Sequence, residues 1–126
     1  MEAIDLYQKL EILDDEAKQN GQQMNYNMMK AFLLVCIQDG VTQKDVVKRT
    51  GITDSAVTRI VQALAGGVRK EGAARTNGLG WVVERGVDET NWRTKAIFIT
   101  DRGREVARNL GFTVPKTNGA RKAIGA

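Results

Sequence analysis

From Thr42 to Leu64 the apolar residues fall into two short helical patterns. Val57, Ile60, Val61 and Leu64 recur at i, i+3, i+4 and i+7, which puts one stripe of a helix against a core. Asp54, Ser55, Thr58, Arg59 and Gln62 are left on the outer face. Before it, Thr42 to Arg49 predicts a shorter helix that buries Val46 and Val47 and shows Gln43, Lys44 and Lys48 to solvent. Thr42 and Thr53 each offer a side-chain oxygen to an unpaired first-turn amide, and Asp45 suits the positive end of the first helix. Gly51 supplies a sharp turn, and Ile52 can staple the second helix to the core. Two helices meeting at such a turn form a unit whose second member can enter a DNA major groove, although an ordinary helical hairpin fits these residues equally well.

The same patterning organises the rest of the chain. Ala3, Leu6, Leu10, Leu13 and Ala17 make a heptad-like seam on an N-terminal helix that ends at Gln19-Asn20-Gly21. Two heptads are too few for an autonomous coiled coil, so the seam packs within the domain or on a second copy. Asn25 to Gln38, with Tyr26, Met29, Phe32, Leu33, Cys36 and Ile37 on one broad face, is the expected central core helix. Met24, Met28 and Met29 are read as core filler.

Ala65 to Gly80 carries five glycines with Arg69, Lys70 and Arg75. That composition predicts a long basic loop, which either touches phosphate or is a solvated insertion. Trp81–Arg85 and Thr94–Thr100 alternate like two strands of a hairpin, with Gly86 to Arg93 at its tip. Thr100 caps a last helix, Asp101 to Leu110, which Gly111 stops. The expected division is an N-terminal helix over 1–21, a folded domain over 22–111 and a flexible basic tail over 112–126. The fold class is mostly α with a small β-hairpin, α+β.

At 126 residues, with 42% apolar and 27% charged residues, the chain is expected to be one soluble domain. The longest apolar run, Ala31 to Ile37, is too short to span a membrane, and the acidic start is unlike a secretory signal, so a cytoplasmic protein is expected. With no histidine and one cysteine, neither a conventional zinc site nor an internal disulfide is expected. Cys36 reads as a small buried hydrophobe. No phosphate-binding loop and no nucleophile setting occurs, so no catalytic residue, cofactor or metal is assigned and the chain is not expected to be an enzyme.

The net charge of +4 hides an asymmetry. Residues 1–40 hold three lysines against seven acids, a balance of −4; residues 41–126 hold sixteen basic residues against eight acids, a balance of +8. A basic C-terminal two-thirds points to a polyanion, and double-stranded DNA is the expected partner.

Helix, helix, helix-turn-helix and hairpin, in that order, resemble the MarR family of transcriptional regulators. That family's wing carries Asp-x-Arg and then Leu-Thr-x-x-Gly; here the register holds as Asn91-Trp92-Arg93 and Ile99-Thr100-Asp101-Arg102-Gly103. The resemblance covers roughly Asn25 to Leu110. It implies a winged helix-turn-helix domain, a homodimer, and a minor-groove contact by Arg93 at the wing tip, with Asn91 replacing the acidic partner. Only Asp101 to Leu110 stands where the family has long C-terminal helices, so the Leu6, Leu10 and Leu13 seam would carry more of the dimer interface, and a small-molecule effector is doubtful.

The expected reading residues are Ser55, Thr58 and Arg59, which can meet base edges or phosphates. Lys44, Lys48, Arg69, Lys70 and Arg75 would hold the backbone, Gln43 and Lys95 are further expected DNA contacts, and Thr53 and Ser55 stand with free amides at a helix N-terminus. A winged-helix adaptor in a replication or packaging complex is the alternative, since fold does not fix function.

Overall fold

The computed structural model describes residues 2–66, 78–86 and 95–114. In chain order these form α1 (Ala3–Lys18), α2 (Tyr26–Ile37), β1 (Val41–Thr42), α3 (Gln43–Thr50), α4 (Asp54–Ala65), β2 (Val82–Gly86), β3 (Lys95–Ile99) and α5 (Asp101–Asn109). The fold is mostly helical with one small antiparallel sheet, as the pattern predicted. Its boundaries have local causes. Asn25 Oδ1 accepts from Met28 N at 2.9 Å to start α2. Thr42 Oγ1 accepts from Asp45 N at 3.1 Å while Asp45 accepts from Thr42 N at 3.3 Å, a reciprocal cap on α3. Thr53 and Thr100 cap α4 and α5 one way, each hydroxyl oxygen accepting from the backbone N–H three residues on. Gly51 ends α3 at φ +75°, a left-handed conformation that costs glycine nothing.

The sheet holds one more strand than the hairpin predicts. β1 joins β3 as Val41↔Ile97 and Thr42↔Ala96, so the order is β1-β3-β2. The hairpin register is Val82↔Ile99, Glu84↔Ile97 and Gly86↔Lys95. A two-residue strand has no period to detect, and its partner lies more than fifty positions away. β1 fixes the start of α3 directly beside the wing.

The core runs through every layer. Phe32 of α2 and Trp81 are fully enclosed, their ring centroids 5.0 Å apart, within the range of favourable aromatic pairs. Val46 of α3, the four-residue stripe of α4, Val82, Ile97 and Ile99 of the sheet, and Val106 and Leu110 beyond them complete it. Gly103 has a steric role: a Cβ there would overlap the Trp81 carbonyl and lie 2.8 Å from Ile99 Cγ1. Only glycine lets α5 press this closely onto the strand connection.

The N-terminal seam divides. Leu13 and Ala17 join the domain core, while Leu6 and Leu10 stay exposed. Leu13, expected at a dimer contact, is thus enclosed by its own chain. Glu16, also buried, meets Arg102 Nη2 and Asn109 Nδ2 of α5 at 3.4 Å each, so the second half of α1 is held by the last helix.

Phe112 and Val114, expected in the tail, lie against the folded domain. Phe112 N donates to Ala107 O at 2.9 Å, and Phe112 and Val114 pack against the core, because a carbonyl left open at the end of α5 turns the chain back.

The two ends of the Gly66 to Gly80 stretch meet. Leu79 N donates to Ala63 O at 2.8 Å and Trp81 N to Leu64 O at 2.9 Å, so the returning chain runs along the end of α4. A Cβ on Gly66 or Gly78 would overlap the other's backbone. Residues 67–77 between them, the hairpin tip at 87–94 and the chain from 115 onward lie outside the described residues.

Candidate nucleic-acid interface

α4 buries Val57, Ile60, Val61 and Leu64 and leaves Asp54, Ser55, Thr58, Arg59 and Gln62 exposed. The helix therefore presents a short face of hydroxyl, amide and guanidinium groups, flanked by two grooves. On one side Thr58 and Gln62 face Thr42, Gln43, Lys44, Glu84 and Lys95 across a groove of about 640 Å³. On the other, Arg59 and Ala56 face Asn25, Tyr26 and Asn27 at the start of α2 across about 390 Å³. Arg59 and Thr58, adjacent in sequence, thus stand over different grooves.

The first groove gathers residues from α3, α4 and both wing strands. Lys44 and Lys95 are exposed at its edges. Inside it, Gln43 Nε2 donates to Glu84 Oε2 at 2.7 Å, and the Thr58 hydroxyl lies 3.1 Å from Gln43 Oε1 and 3.0 Å from the Asp54 carbonyl. Gln43 consequently bridges the helix pair to the wing. Thr53 Oγ1 accepts from Ala56 N at 3.3 Å, so its oxygen serves the helix first. Its neighbour Ser55 is exposed in the first turn.

Of the residues expected from sequence, Gln43, Lys44, Thr58 and Lys95 are brought together in one groove. Thr53 and Ser55 stand at the open start of α4, and Arg59 lies on its far side. Arg69, Lys70, Arg75 and Arg93 fall outside the described residues. Two charged wing residues escaped the sequence reading. Among the described residues Glu84 is the one acid lining the groove, and strand alternation alone could have placed it on the face of Val82. Arg85, on the opposite face, is exposed with its guanidinium 4.5 Å from the Phe98 ring centroid, a cation–π contact that points it away from this groove.

Cys36 behaves as the small hydrophobe expected: burial, and then the nearby Asp39 carboxylate, push its thiol up to about 12. It also lines an apolar cleft of about 450 Å³ with Leu33, Ile37, Phe112, Thr113 and Val114. The doubt over an effector rested on the shortness of the last helix. Here the chain beyond α5 supplies a wall that the helix does not, so the doubt loses its basis. No helix among the described residues is long and apolar enough to cross a membrane.

No family model and no curated relative matches the sequence. Solved structures do match the fold. A MarR-family transcriptional regulator from Rhodococcus sp. RHA1 aligns with a TM-score of 0.54 and 21% identity over 94% of this chain and 69% of that one. CouR from Rhodococcus jostii RHA1, solved bound to p-coumaroyl-CoA, aligns with a TM-score of 0.52 and 22% identity over 94% and 68%. A MarR transcriptional regulator from Methanosarcina mazei Go1 gives a TM-score of 0.50 and 14% identity over 95% and 77%. The architecture of this chain is the winged helix-turn-helix in the form that MarR-family regulators carry.

Proposed function

We propose that the chain is a sequence-specific, double-stranded DNA-binding transcriptional regulator of the cytoplasm, with α4 entering the major groove and the hairpin tip following the backbone to the minor groove. The observation that carries this is the outer face of α4. It is polar and hydroxylated along its length, whereas a protein-docking face tends to place apolar and aromatic groups at its centre.

Arg59 suits a bidentate pair with guanine, Ser55 and Thr58 suit base edges or phosphates, and Lys44 and Lys95 suit the backbone. Arg69, Lys70 and Arg75 would add phosphate contacts and Arg93 the minor-groove contact. A homodimer would present two such units to half-sites about one helical turn apart, with Leu6 and Leu10 at the subunit contact. Because CouR was solved with an aromatic acyl thioester, the cleft beside Cys36 and Phe112 is the proposed seat for an apolar or aromatic effector group.

Fluorescence anisotropy with random-sequence duplex tests the reading. Binding is expected to weaken with salt at a log–log slope of about −0.9 per phosphate contacted. Arg59→Ala should cost about 1 to 3 kcal/mol and relax one position of each half-site. Arg93→Ala should weaken binding with little change beyond the balance of A·T against G·C. Absence of duplex binding at low salt rules the reading out.

A further inference from the structure

We propose that Glu84 is a positioning residue for base readout, one that fixes which way the Gln43 side-chain amide faces DNA. This rests on the DNA-binding reading above and deepens it.

The geometry follows from the sheet. Val41, Ile97 and Glu84 lie in one row across β1, β3 and β2, so Glu84 is two strand spacings, about 10 Å, from β1. Gln43 follows β1 by a single residue. From there its side chain and that of Glu84 span the gap over Ile97 and meet at 2.7 Å.

The chemistry sets the direction. An ionised carboxylate only accepts hydrogen bonds, so the Gln43 nitrogen must face Glu84 and its carbonyl must face Thr58, whose hydroxyl lies 3.1 Å from it. An unrestrained glutamine offers donor and acceptor together and suits the N6/N7 edge of adenine. In this chain one amide hydrogen is committed to Glu84, the Gln43 oxygen shares the single Thr58 hydroxyl hydrogen with the Asp54 carbonyl, and the second amide hydrogen is left. That hydrogen matches acceptors: guanine O6 and N7, thymine O4, or a phosphate oxygen. Because the bridge joins α3 and α4 to the wing strand, it also sets where the wing begins its approach to the duplex.

Two substitutions separate the bridge from the charge. Glu84→Gln removes the charge but keeps a carbonyl to accept from Gln43; Glu84→Ala removes both. Selection from a randomised duplex library should return the same preferred sequence for the wild type and E84Q. For E84A, the base preference at one position of each half-site should change by about fivefold or more, the lower end of a specific base contact. In the free protein, the Gln43 side-chain amide resonances should shift on E84A and remain near their wild-type positions on E84Q. If the wild type selects a sequence while E84A and E84Q select identically, the positioning role is overturned and the DNA reading stands. If the Gln43 amide resonances ignore E84A, the bridge itself is overturned. A wild type that selects no sequence removes the DNA reading and this inference with it.

Discussion

α1 and α4 carry the same apolar spacing and meet opposite ends. In α4 all four stripe residues, Val57, Ile60, Val61 and Leu64, are at most 8% exposed. Of the apolar residues of α1 only Leu13 and Ala17 are buried, while Ile4, Leu6, Tyr7 and Leu10 remain 60%, 50%, 60% and 38% exposed. The difference lies in the neighbours. α4 is enclosed by α2, α3 and β2, whereas the contacts of α1 with another element are mainly those with α5, whose nine residues are too short to cover a 16-residue helix. An amphipathic stripe states that a face needs cover; the element that supplies it is decided elsewhere in the chain.

The sharpest way to break this comparison is to place a charge in each stripe. Val57→Asp should bury an unpaired carboxylate at a closed site, cost more than about 4 kcal/mol and leave the chain largely unfolded by circular dichroism. Leu10→Asp should change the monomer's denaturant stability by no more than about 0.5 kcal/mol and instead abolish dimers in analytical ultracentrifugation. If Leu10→Asp unfolds the chain as Val57→Asp does, the open half of α1 belongs to the core and the contrast is void.

A smaller effect is expected where the two regions are coupled. Gly103→Ala forces α5 away from the Trp81 carbonyl and should cost about 1 to 3 kcal/mol, the range of overpacked sites. Since α5 is the platform for α1, hydrogen exchange at α1 amides around Leu13 should rise more than at α4 amides around Val61. Equal acceleration in both would show that α1 does not depend on α5. Smallest are the caps. Thr53→Ala should cost about 1 kcal/mol, because its bond to Ala56 N starts an enclosed helix. Asp5→Ala, at the exposed start of α1 where it accepts from Glu2 N at 3.4 Å, should stay within about 0.5 kcal/mol. Equal costs would mean that the start of α1 is as firmly held as that of α4.

Much of the molecule was legible because its signals are local. The caps at Thr42, Thr53 and Thr100, the stop at Gly51 and the stripe of α4 each depend on residues within one or two helical turns, and the structure places all of them as expected. The alternation that marked the wing strands is equally short in range. Gly103, quoted at first only as part of a family register, acquires its reason from the Trp81 carbonyl above it.

What the sequence could not decide is everything whose partner is distant. β1 exists because Val41 finds Ile97, and two residues carry no period. Glu84 escaped the sequence reading, and only the sheet order put Gln43 beside it. Leu13 and Leu10 belong to one seam, yet the domain encloses Leu13 and leaves Leu10 exposed. A helix or a cap is set by interactions a few residues apart, whose closure entropy is small, so the local sequence can specify it alone. A bridge such as Gln43 to Glu84, 41 residues apart, forms only after the core has already met the entropy of closing that loop, and so belongs to the tertiary structure.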